Sequence, residues 1–137
     1  MLAGCIWFFI ACTSKKSIDS KTDISALTGT WELKDIEGTG IVFDSLYSGQ
    51  KPTISFDLTT MKAGGQTSCN HFSGPFHIDG NKISFSEPMS MTKMFCPGEG
   101  ENTFLATLKK VDTWSVNDTN TLILKKGENE LMRFVKK

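Results

Sequence analysis

The chain has 137 residues, of which 39% are hydrophobic, and this is enough for one compact domain but too little for two. Fifteen basic residues balance fifteen acidic residues, so the net charge at neutral pH is zero. A balanced charge provides no overall field to attract nucleic acid, and the lysine pairs are scattered without aromatic residues between them. We therefore expect no nucleic-acid partner.

The N-terminus has the outline of a bacterial lipoprotein signal. Residues 2–11 are almost wholly apolar, are too few to span a bilayer of about 30 Å, and are followed at once by a polar run. A lipoprotein signal also needs a cysteine directly after the cleavage point, because its thiol receives the lipid. We therefore predict a signal peptide at residues 1–11, lipid attachment at Cys12 and a flexible tether at residues 12–26.

Cys5 is the alternative lipid attachment site. Cys5 and the three residues before it match the usual sequence at a lipoprotein cleavage site better than Cys12 does. Cleavage there, however, would leave the apolar residues 6–10 on the mature protein. The polar residues after Cys12 suit a linker between a membrane and a domain, so Cys12 is preferred. Such a protein would be a membrane-anchored lipoprotein of the bacterial cell envelope that faces the periplasm, an oxidising compartment.

Beyond the tether, apolar and polar residues alternate with a period of two, which predicts a series of short strands. They lie at residues 27–33, 52–58, 76–78, 83–85, 114–116, 122–124 and 131–135, with a further short extended piece at 41–43. The Asp79-Gly80 step between two of them supplies the positive φ that a tight hairpin turn requires. Phe104, Leu108 and Val111 instead have helical spacing, which predicts an α-helix near residues 99–111.

The sequence predicts a mainly β fold, because a succession of short strands is joined by short turns and only one helix is predicted. We expect a small antiparallel barrel-like sheet of about eight strands, because closure of the sheet would remove its exposed edges. The predicted domain occupies residues 27–137.

Two short motifs resemble those of a known family. They consist of Cys69, Asn70, Phe72 and Gly74 in the first motif and Thr92, Met94 and Cys96 in the second. Their pairing is similar to that in the META/HslJ domain, and the resemblance covers roughly residues 27–134. The chain departs from the family pattern at Pro75-Phe76, where a small residue and Tyr are common.

The resemblance implies a small barrel-like β fold, attachment as an envelope lipoprotein and a loose link to heat-shock or antibiotic-stress responses. It implies no established catalytic residues. We therefore expect a non-catalytic binding or structural module without a cofactor or a metal, which supports envelope integrity under stress. Its expected partners are the membrane, through the lipid anchor, and an unidentified envelope protein, and the module is expected to be a monomer.

Cys69 and Cys96 are the only cysteines inside the predicted domain, and an oxidising compartment favours a disulfide between them. The chain-entropy model assigns such a bond about 3 to 4 kcal/mol of stability. One alternative is a reactive Cys69 paired with His71 or His77. Asn70 is expected to bond the local backbone of a turn rather than a substrate.

Three further alternatives concern ligands. Cys69, His71, His77 and Cys96 could bind zinc, although their spacing fits no recognised zinc pattern. Thioether and thiolate ligands select copper(I), but on a regular strand Met89 and Met91 would face away from Met94 and Cys96. The third alternative is a barrel that holds a small apolar ligand among its aromatic residues.

Overall fold

A computed structural model describes residues 23–85 and 88–137, together with Gly4. The predicted signal peptide, most of the tether, Cys12 and the alternative Cys5 lie outside the described residues. Where the structure describes the chain, its helices lack the length and the apolar character that a membrane crossing requires.

One antiparallel sheet contains the ten strands found in the described residues, two more than the approximate number expected. The strands are β1 (Thr30–Ile36), β2 (Thr53–Asp57), β3 (Lys62–Gln66), β4 (His71–Pro75), β5 (His77–Asp79), β6 (Lys82–Ser84), β7 (Ser90–Met91), β8 (Thr113–Asn117), β9 (Thr121–Lys126) and β10 (Asn129–Lys136). Their order in the sheet is β5-β6-β8-β9-β10-β1-β2-β3-β4-β7. The predicted mainly β, barrel-like architecture is confirmed, in the form of a curled half-barrel.

The chain itself links the two ends of this sheet. β4 and β5 stand near opposite ends of the strand order, yet only Phe76 separates them in sequence. The Phe76 amide donates to the carbonyl oxygen of Met61 (3.1 Å), and its ring packs against Phe56 and Phe85 with centroid distances of 5.3 and 6.3 Å. The sheet therefore curls around an aromatic core.

The inner face of β1 shows how the sequence pattern becomes a core. Trp31 and Leu33 are buried as their alternation predicts. The register with β10 then shifts between Leu33 and Asp35, and this β-bulge turns Ile36 inward as well. A 3₁₀ turn at Ile24–Leu27 precedes β1, and the Leu27 carbonyl accepts a hydrogen bond from Trp31 Nε1 (2.9 Å). The described chain therefore enters the domain at the end of the sheet where β1 begins.

Helical segments correct two sequence predictions. The predicted helix at 99–111 is present as α2 (Gly100–Leu108), and it ends before Val111. The extended piece predicted at 41–43 is wrong, because a 3₁₀ turn at Gly40–Val42 leads into the short helix α1 (Phe43–Leu46). One helical turn brings the rings of Phe43 and Tyr47 onto the same face, 5.0 Å apart, and their burial outweighs the local preference for a strand.

The strands that the sequence did not predict are β3, β4 and β7. The predicted hairpin around Asp79-Gly80 is confirmed as β5 and β6, with Gly80 at a φ of +58°. The three predicted C-terminal strands are also confirmed, as β8, β9 and β10.

Candidate functional site

The side chain of Asn70 is the centre of a buried hydrogen-bond network. Its Oδ1 accepts from the Met94 amide (2.8 Å) and from Thr92 Oγ1 (3.0 Å). Its Nδ2 donates to the Met94 carbonyl (3.2 Å) and to Glu101 Oε2 (2.9 Å). A primary amide has two donors and two acceptor sites, so all of its capacity is used. Asn70 therefore satisfies both backbone groups of Met94 and ties the loop between β3 and β4 to the segment before α2.

Glu101 and Thr67 complete the network. Glu101 lies in the first turn of α2, and its Oε2 also accepts a hydrogen bond from Thr67 Oγ1. The buried Thr67 hydroxyl in turn accepts from the Asn70 amide (3.1 Å), and the Thr67 amide donates to the Asn70 carbonyl (2.8 Å). The predicted turn at Asn70 is therefore present, and a carboxylate from a distant helix is added to it.

A disulfide joins the two family motifs at the same place. The structure links Cys69 to Cys96, with Cα atoms 6.2 Å apart, within the usual range for such a bond. With both sulfurs in the bond, neither is a thiolate nucleophile or a metal ligand. Within residues 23–85 and 88–137, no group of three or more His, Cys, Asp or Glu side chains is arranged to hold a metal ion. The Cys–His and zinc hypotheses therefore require the reduced protein.

The other motif residues have packing or hydrogen-bonding roles. Phe72 is buried on β4, and its ring meets that of Phe104 on α2 edge to face at 5.6 Å. A Cβ atom at Gly74 would lie 2.9 Å from Cγ of Met89, so the chain at Met89 can cross β4 closely only over a glycine. Thr92 Oγ1 accepts from the backbone amide of the residue after Asn70 (3.0 Å), which fixes the hydroxyl that bonds the Asn70 side chain.

The methionines do not converge, which agrees with the geometric argument against copper(I). Met89 and Met91 line a small apolar cavity of about 90 Å³ beside α2, whereas Met94 lines a different, open cleft. Pockets for small molecules usually have volumes of about 300 to 1,000 Å³. The cavity beside α2 is therefore too small for the apolar ligand that the sequence left as an alternative.

The open cleft lies directly outside the Asn70 network. It has a volume of about 440 Å³ and is lined by residues 46–50, 68–69 and 94–97. Phe95 stands in its wall with 92% of its surface exposed, and Met94 is 61% exposed. Met94 is bonded through its backbone to Asn70, and the next residue but one, Cys96, is bonded to Cys69. A large exposed aromatic side chain is therefore held on a fixed backbone.

Tyr47 supports the opposite wall of the cleft. It is 2% exposed, and its hydroxyl donates to the carbonyl oxygen of Gly100 (2.8 Å), the first residue of α2. A Cβ atom at Gly100 would lie 2.9 Å from the Tyr47 ring, so the close contact requires glycine. Burial raises the pKa of Tyr47 to about 12.

Tyr47 offers a direct test of this packing, because it is the only tyrosine in the chain. The ultraviolet absorbance of tyrosinate should therefore titrate with a midpoint near pH 12 in the folded protein and near pH 10 in denaturant. Since the folded pKa is raised, the stability that the neutral phenol contributes is complete below about pH 10 and is lost as the pH rises towards 12. Tyr47→Phe should remove this part of the pH dependence. A midpoint near 10 in the folded protein would contradict the buried hydroxyl.

Comparison with known proteins gives a family match and two structural neighbours. The family model described as META domain matches residues 25–137. A protein from Burkholderia xenovorans, solved by NMR, is similar with a TM-score of 0.63 and 22% identity, over 82% of this chain and 85% of that one. A crystal structure of a DUF4847 family protein from Bacteroides vulgatus is similar with a TM-score of 0.54 and 16% identity, over 80% of this chain and 92% of that one. At these identities the two neighbours show a shared fold alone. No curated protein matches the chain.

Proposed function

Because this chain belongs to the META domain family, we propose that it is a lipid-anchored envelope protein whose domain is a non-catalytic binding module. The single observation that carries the binding role is the exposure of Phe95, at 92%, on a loop fixed by the disulfide and by Asn70. A rigid aromatic side chain loses little conformational entropy when a partner covers it, so such residues are frequent anchors of interfaces. A role in envelope integrity during stress belongs to this proposal.

The chemistry around Asn70 supports a structural rather than a catalytic role. Each polar atom of the Asn70 side chain already has a partner within the protein, and the two nearby sulfurs are bonded to each other. A catalytic group needs a free lone pair, a free proton or a free thiolate to offer to a substrate. The network therefore suits a structural role, in which its hydrogen bonds maintain the shape of the cleft.

Membrane anchoring is tested by replacing the two candidate cysteines one at a time. Cys12→Ser should abolish the incorporation of labelled palmitate, because the Cys12 thiol is the predicted acceptor of the acyl chains that provide the anchoring energy. The matched variant Cys5→Ser should keep both the label and the membrane association. The opposite pattern would assign the anchor to Cys5, and unchanged labelling in both variants would overturn lipid attachment at either cysteine.

A further inference from the structure

The cleft and the chain entry lie at opposite ends of the sheet. β1, β2, β3 and β4 follow one another as antiparallel neighbours, so the β1–β2 and β3–β4 connections share one end of the sheet. Residues 46–50 and 68–69 of the cleft belong to these two connections. The described chain enters at the other end, where β1 begins, and the seven residues of β1 span roughly 20 Å at about 3.3 Å per residue. The described chain therefore joins the domain at the end of the sheet opposite the cleft.

The cleft also lacks charge. None of the eleven described residues that line it is Asp, Glu, Lys or Arg, although these residues form 22% of the chain and would occur about twice among eleven. The lining instead combines Met94 and Phe95 with the small polar residues Ser48 and Gln50. The central parts of protein–protein interfaces are likewise depleted of charged residues and enriched in aromatic residues and methionine. The lining therefore offers a charged ligand no side chain of opposite charge.

From these two observations we infer that the cleft is a docking site for an extended, uncharged segment of another envelope protein, which places an apolar side chain against Phe95. The inference rests on the proposed function, since it names the partner class of that binding module. An open cleft of about 440 Å³ accommodates a few residues of peptide rather than a whole domain face. A bilayer is the less favoured occupant, because none of the Lys or Arg side chains that attract anionic headgroups lines the cleft.

Site-specific photocrosslinking in the full-length chain in living cells tests this inference. p-Benzoylphenylalanine in place of Phe95 keeps an aromatic side chain at the cleft, and the same residue in place of Asn120 provides a matched probe. Asn120 is exposed and lies in the turn between β8 and β9, at the end of the sheet where β1 begins. We expect the probe at position 95 to crosslink to a protein, and the mapped segment to be uncharged with an apolar side chain. The probe at position 120 should not crosslink to a protein, whether or not it crosslinks to lipid.

Two variants show whether Phe95 itself contributes to docking. With the crosslinker placed at Ser48 on the facing wall, Phe95→Ser should reduce the yield of the same crosslink at least tenfold. Val42→Ser is the control, since Val42 is an exposed apolar residue, 48% accessible, that does not line the cleft. An equal yield in both variants would overturn the inference.

Other outcomes separate the inference from the proposed function. Crosslinks from position 95 to lipid, to a charged segment or to nothing would overturn the docking site, whatever the state of Cys12. Crosslinks from position 95 to an uncharged protein segment, in a chain that carries no lipid, would sustain the docking site and overturn the anchoring instead.

Discussion

Replacing Asn70 with Ala is expected to lower the free energy of unfolding by about 4 kcal/mol. The variant loses four side-chain hydrogen bonds and leaves the Glu101 carboxylate without its amide donor. Each bond contributes about 1 kcal/mol net, and a partner left unsatisfied adds to the loss. Since small domains are stable by about 5 to 15 kcal/mol, the change is a large part of the total. Urea unfolding of the oxidised protein measures it.

The near-isosteric variant Asn70→Asp separates hydrogen bonding from shape. It keeps the acceptor for Met94 and Thr92 but places a carboxylate where Nδ2 now lies 2.9 Å from Glu101 Oε2. Two carboxylates at that distance cannot both ionise without a penalty, so the folded-state pKa of the new carboxyl should be raised. A raised pKa means that the loss of stability is greatest at neutral pH and shrinks as the pH falls through the carboxyl range.

The control for both variants is Asn120→Ala, at an exposed position in a turn. Its stability should stay within about 0.5 kcal/mol of the original protein. A loss in Asn70→Ala that is no larger than in Asn120→Ala would show that the Asn70 network does not hold the cleft. Equal stability of Asn70→Asp at acidic and neutral pH would contradict the contact with Glu101.

Removal of the disulfide is expected to have a comparable effect. The Cys69–Cys96 bond closes a loop with a sequence separation of 27 residues. On the chain-entropy model its absence from Cys69→Ser/Cys96→Ser should lower the free energy of unfolding by about 3.5 kcal/mol. Comparison of this double variant with the oxidised protein in urea measures the change, and the fully reduced protein should behave like the variant.

The redox state of the two sulfurs is read from intact mass. Protein expressed in an oxidising compartment, then denatured with a thiol-alkylating reagent and no reductant, should gain no alkyl group on Cys69 or Cys96. Two added alkyl groups would show that both thiols are free and would support the Cys–His and metal hypotheses. The effects of the disulfide and of Asn70 should be less than additive, because both fix the backbone at Met94 and Cys96.

The features that could be predicted from the sequence are those with a local cause. The hairpin at Asp79-Gly80 depends on a turn of two residues, and the C-terminal strands show their alternation within each segment. The disulfide followed from the count of cysteines in the domain. These predictions needed no knowledge of which segments meet in space.

The features that could not be predicted have non-local causes. β3 contains Gly64-Gly65, which have no side chains to form a pattern, and the strand exists because β2 and β4 pair with it on either side. A Cβ atom at Gly65 would collide with the Thr53 carbonyl, so the missing side chain is itself a requirement of the pairing. Acidic residues are common in the first turn of a helix, so Glu101 does not stand out in the sequence, and it is 31 residues from Asn70. Within the sequence alone, no signal connects the two.

The position of β1 in the sheet determines when the protein can fold. β1 is nearly the first described element, yet it lies between β2 and the last strand, β10. During synthesis one edge of β1 therefore has no partner until β10 has been made. Contacts between residues so far apart in sequence form slowly, because a long loop must close first. Topology thus delays completion of the sheet until β10 is available, and this order of events is compatible with the export across a membrane that the proposed lipid anchoring requires.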